Sequence, residues 1–110
     1  EHLADTLAAR IADAAGQVLQ AGAGRTWVRL RALDIRHYAE SGGGPPPGVR
    51  PVFVSILHAR EEDPATRRQE AADLTAALAN VLARPAEHVH VRYEQPGAGR
   101  QAFGGKLLGS

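Results

Sequence analysis

The chain has 110 residues, enough for one domain with a modest core. A net charge of +1 excludes an electrostatic nucleic-acid footprint, and the lack of cysteine excludes disulfides, thiol chemistry and cysteine-metal sites. No apolar run approaches the ~18 residues of a membrane span and nothing resembles a signal peptide, so a cytoplasmic protein without membrane or nucleic-acid partners is expected.

Leu3, Leu7, Ile11 and Val18 recur at helical spacing, with Ala8, Ala14 and Ala15 on the same side. This predicts a helix over 2–20, ended by "AGAG" at 21–24. "TWVRLRAL" at 26–33 then alternates, with Val28, Leu30 and Ala32 opposite Trp27, Arg29 and Arg31, as a half-buried strand would. The three glycines and three prolines of "SGGGPPPG" at 41–48 can hold neither a helix nor a central strand. Val52 to Leu57 is near-continuously apolar and predicts a strand covered on both faces. Asp63 and Pro64 suit the cap and first position of a second helix over about 66–83, with Ala71, Leu74, Leu78, Val81 and Leu82 as its stripe. Pro85 stops it. "HVHVRY" at 88–93 alternates again, and glycine-rich turns close the chain.

The two halves are related. A shift of 63 positions, which lays Ala8 on Ala71, also lays Val18 on Val81, Leu19 on Leu82, Val28 on Val91, Arg29 on Arg92 and Gly42 on Gly105. This divides the single domain over 1–110 into an incomplete first unit over 1–43, a loop over 42–48 and a second unit over 49–110. The second unit reads strand, helix, strand; the first shows only helix and strand. The counterpart of Pro51 falls roughly a dozen residues before Glu1 by the repeat arithmetic. A first strand upstream of Glu1 is therefore expected, and the absence of methionine agrees with it.

Proline and an apolar strand at Pro51–Leu57, Arg60 just after it, one amphipathic helix, a parallel strand and Gly104-Gly105 make a pattern that resembles the tautomerase superfamily. The likeness is to 4-oxalocrotonate tautomerase and its fused, double-length relatives, including 5-carboxymethyl-2-hydroxymuconate isomerase. It departs at Ala59, where glycine often precedes the arginine, and at Phe103, whose register is loose. The resemblance implies an α/β (α+β) domain in which two β-α-β units form a four-stranded sheet with two helices on one face. It also implies a homotrimer, a small unsaturated 2-oxo or 2-hydroxy carboxylic acid as substrate, no cofactor, and an N-terminal proline as base. Pro51 cannot be that base. Its nitrogen is a tertiary amide whose lone pair is delocalised into the carbonyl.

Arg60, Arg29 and Tyr38 are catalytic candidates, and Trp27, His90, Arg92 and Phe103 are substrate-binding candidates. The resemblance points to Arg60 and, loosely, to Phe103. Arg29, Arg92, Trp27 and His90 share the polar strand face at repeat-equivalent positions, and Tyr38 carries a hydroxyl. A guanidinium can grip a carboxylate bidentately and stabilise a developing enolate. His90 is of a type that titrates near neutrality, and Tyr38 can donate to a substrate oxygen. Each also has a plainer reading: Arg60 pairing with Glu61 or Glu62, Arg92 bridging subunits, Trp27 anchoring an interface, His90 and Tyr38 on the surface. His58, His88 and His90 lack an acidic cluster in sequence, so no metal site is expected. "GGGPPPG" lacks the lysine of a phosphate-binding loop, and "GAGRQAFGG" does not lead from a strand into a helix. A non-catalytic module remains open, because β-α-β-β-α-β is also the element order of ferredoxin-like domains. Direct parallel pairing within a unit favours the tautomerase arrangement.

Overall fold

The computed structural model describes residues 2–109, with side chains from Asp5 onward, so the Leu3 side chain and any strand before Glu1 lie outside the described residues. Helix α1 spans His2–Leu19 and helix α2 spans Pro64–Leu82. The strands are β1 (Val52–Ile56), β2 (Val89–Tyr93), β3 (Ala102–Phe103) and β4 (Lys106–Leu107). None of the described helices is long and apolar enough to cross a membrane.

The helix boundaries follow from local chemistry. The Asp63 carboxylate accepts from the Thr66 N–H at 2.7 Å and its hydroxyl at 3.0 Å, and Pro64 occupies the first turn, where its missing N–H costs nothing. At the far end Ala83 takes left-handed backbone with φ 54°, and the Arg84 N–H returns to the Ala79 carbonyl at 3.0 Å. Helix α1 ends alike. Gln20 also has φ 54°, and the Ala21 N–H returns to the Gly16 carbonyl at 2.9 Å. Gly42 and Gly105 likewise share positive φ, at 84° and 86°.

β1 and β2 pair directly and in parallel, from Val52 opposite Val89 to Ile56 opposite Tyr93. Helix α2 is the crossover between them. Direct pairing leaves no room for the intervening strand that splits each unit of a ferredoxin-like sheet. The β-branched Val52, Val54 and Ile56 suit a pleated surface, and Pro51, lacking an N–H, stands just outside the ladder.

Both helices lie on one side of this sheet. Leu78, Ala79 and Val89 are its buried centre, with Ile11, Val52, Val54 and Leu82 packed around them. The expectation that β1 is covered on both faces is therefore corrected. Val52, Val54 and Ile56 face the helices, while Phe53 stays 62% exposed on the other side. Residues 25–34 join no ladder, and the main sheet has two strands rather than four among the described residues. β3 and β4 form a separate antiparallel hairpin around Gly104-Gly105. The fold is α+β, with small sheets of short strands.

After β2 the chain turns back along the exit of β1. The Gly97 N–H donates to the His58 carbonyl at 2.7 Å, and that of Ala98 to the Ala59 carbonyl at 2.8 Å. This docks the C-terminal hairpin beside His58 and Arg60.

Candidate functional site

An open groove of about 1460 Å³ separates the 25–38 segment from β1. β1 uses only one edge, toward β2, and the 25–34 segment uses neither among the described residues. Five arginines line the groove, Arg25, Arg29, Arg31, Arg50 and Arg84, and no described lining residue is acidic. One-signed charge on low-dielectric walls concentrates ions of the opposite sign. Arg84 is anchored by donating to the Arg50 carbonyl at 2.7 Å.

Aromatic rings supply the apolar part of the wall. Trp27 and Phe103 meet edge to face, with centroids 5.2 Å apart at 80°. The Trp27 indole N–H is fixed by the Gly24 carbonyl at 2.8 Å. Tyr38 stands 5.7 Å from Phe53 and donates its hydroxyl to Glu40 Oε2 at 2.6 Å. That hydrogen bond to a carboxylate holds the Tyr38 phenol above its ordinary pKa.

Four of the seven residues singled out in the sequence thus line the groove: Arg29, Tyr38, Trp27 and Phe103. Two more adjoin it from β2. His90 packs 5.4 Å from Phe53, and Arg92 reaches Ser55 Oγ at 3.4 Å while pairing with Glu94 at 3.1 Å. Arg60 stands apart. Its guanidinium lies against Gly109, and it lines a second, smaller pocket of about 170 Å³.

That second pocket contains a polar cluster. His58 Nε2 lies 2.6 Å from Glu70 Oε2, and the Tyr93 hydroxyl donates to the same oxygen at 2.8 Å. The Glu70 side chain is only 10% exposed. Burial, then the Glu70 carboxylate, push the Tyr93 phenol far above its ordinary range. Arg67 sits 5.7 Å over the Tyr93 ring and donates to Glu61 Oε2 and the Glu62 carbonyl, both at 3.1 Å. His58, Glu62 and Glu70 bring three ligand-type atoms within 4.8 Å of one another. The expectation that no acidic cluster accompanies the histidines is corrected at His58. Glu70 sits twelve residues away on α2, and the β-α-β crossover lays that helix over the end of β1.

No protein-family model matches the chain, and no curated protein matches it. Among solved structures the chain is similar to a native fused 4-OT, at TM-score 0.72 and 24% identity over 97% of this chain and 86% of that one. It is also similar to N1, a member of the cis-3-chloroacrylic acid dehalogenase (cis-CaaD) family, at TM-score 0.68 and 24% identity over 96% and 72% of the two chains. Both neighbours are tautomerase superfamily proteins. The fold is tautomerase-like. At this identity the likeness is one of fold.

Proposed function

We propose that this protein is a tautomerase-type enzyme of the superfamily its fold resembles, moving a proton on a small unsaturated 2-oxo or 2-hydroxy carboxylate. The observation that carries the reading is the groove with five arginines and no acidic residue among its described lining. A planar carboxylate enters between Trp27 and Tyr38, and Arg29 grips it bidentately. The neighbouring guanidiniums stabilise the dienolate that forms as the proton leaves, in a site partly shielded by the aromatic rings. Tyr38 donates its hydroxyl to the substrate only by giving up its bond to Glu40.

The base in this reading is the secondary amine of a proline heading a strand upstream of Glu1. In the same reading, other subunits of a homotrimer cover the open face of β1 and β2 around Phe53.

The test is turnover of phenylenolpyruvate and 2-hydroxymuconate, with the mature N-terminus fixed by mass spectrometry. Arg29→Ala is expected to lower kcat/KM about 10- to 100-fold, the size of a lost charge-assisted hydrogen bond. Arg60→Ala, outside the groove, is expected to change it less. A protein with an N-terminal proline and no turnover of either acid would leave only a non-catalytic subunit with this fold.

A further inference from the structure

We infer that His58, Glu62 and Glu70 form a binding site for a divalent transition-metal ion of the zinc type. The site lies where β1 runs into α2, and it goes beyond the isomerase reading without depending on it. Imidazole nitrogen and carboxylate oxygen are both zinc donors, at about 2.0–2.2 Å. Three such donors already stand within 4.8 Å of one another, so an ion that displaces the proton between His58 Nε2 and Glu70 Oε2 needs only small shifts of the three side chains.

Two further observations favour a cation here. First, Glu62 Oε1 is sealed from solvent and meets no donor. A buried carboxylate oxygen can only accept, and leaving it unpaired is costly. Second, among the described residues no guanidinium is bonded to either carboxylate, and the one basic group that reaches Glu70 is the His58 imidazole, a cation only when protonated. Arg67 spends its N–H groups on Glu61 Oε2 and on the backbone carbonyl of Glu62. Like charges this close repel unless an ion or a proton lies between them.

The surroundings already hold the ligands as an outer shell does in metal proteins. Tyr93 donates to Glu70 at 2.8 Å and stacks on the His58 ring at 5.9 Å and 19°. One residue therefore orients two ligands. The 170 Å³ pocket beside them leaves space for a water molecule on the ion's open side. His58 also borders the arginine-lined groove, so the ion would sit at the seam between the two cavities.

The full chain, stripped with a chelator, is titrated with zinc chloride by calorimetry and melted by circular dichroism with and without the ion. One ion per chain and a raised melting temperature are expected. Glu62→Gln and His58→Gln are each expected to weaken binding at least about 10-fold while leaving the helical signal intact. Cobalt(II) in place of zinc is expected to give visible d–d absorption that Glu62→Gln abolishes. Absence of binding up to about 1 mM zinc would overturn the site. So would wild-type affinity in both variants, which would assign the ion to other histidines such as His88 or His90.

Discussion

Among the described residues, four of the five buried apolar ones, Leu74, Leu78, Ala79 and Val89, belong to the second half of the chain, and the first half contributes Ala15. The first half instead leaves Trp27 at 74% and Leu33 at 63% exposure. The two halves have similar sequences, so composition does not explain the difference. What differs is hydrogen-bonded company. In the second half β1 has β2 beside it, and together they offer α2 a continuous apolar floor. The 25–34 segment has no strand beside it among the described residues, and its apolar side chains border the groove. An amphipathic segment becomes a core only when a second strand widens it into a surface.

The largest test of that contrast is a pair of truncations. Leu74→Ala removes a side chain that is 2% exposed and is expected to cost about 2–5 kcal/mol in urea unfolding. Leu33→Ala is expected to change stability by under about 0.5 kcal/mol. Equal costs would break the comparison, because they would mean that Leu33 is covered in solution.

A smaller effect separates the two tyrosines, one in each half. Both phenols are held above the ordinary 10.0, Tyr38 by its bond to Glu40 and Tyr93 first by burial and then by Glu70. Folding therefore favours the protonated phenols. That contribution is complete below pH 10.0 and is lost as pH rises through the folded-state values. Ultraviolet titration of the native protein should show no tyrosinate step at pH 10.0, and the step should reappear there in guanidinium. Tyr93→Phe should remove the higher of the two native steps. A native step at the ordinary pH would dissolve the Glu40 and Glu70 contacts.

Much of this was legible in the sequence, for identifiable reasons. Asp63-Pro64 and Pro85 marked α2 because caps and breakers act within a few residues. The alternation of 88–93 marked β2 because one face is buried and the other is wet. Alternation in 26–33 misled, since it records which side chains are apolar and not whether a partner strand is present. β1 misled differently. Phe53 and Leu57 are apolar on the open face, so the period of two was hidden in a continuous run. The groove's Arg29 and Trp27 were found through the polar face of the alternating 26–33 stretch and its repeat, Tyr38 through its hydroxyl and Phe103 through the family pattern, whereas the meeting of His58, Glu62 and Glu70 needed the fold. Glu70 is ordinary as a helix residue and becomes a neighbour of His58 only after the crossover forms.

The smallest effect sharpens the comparison most directly. Ala83 and Gln20 end their helices with the same φ of 54°, a conformation in which a side chain's Cβ crowds the backbone. Glycine relieves that crowding, so Ala83→Gly is expected to stabilise the protein by about 0.5–1 kcal/mol in urea unfolding. Gln20→Gly makes the same change at the same backbone geometry. It should give the same gain only if α1 unfolds together with the core that α2 shares with β1 and β2. Ile11 packs against that core, and Arg10 donates to the Val81 carbonyl at 3.3 Å, so one cooperative transition with equal gains is expected. A gain for Ala83→Gly with none for Gln20→Gly would mean that α1 frays before the rest melts. The first half would then lack a strand partner and also a cooperative hold on the core.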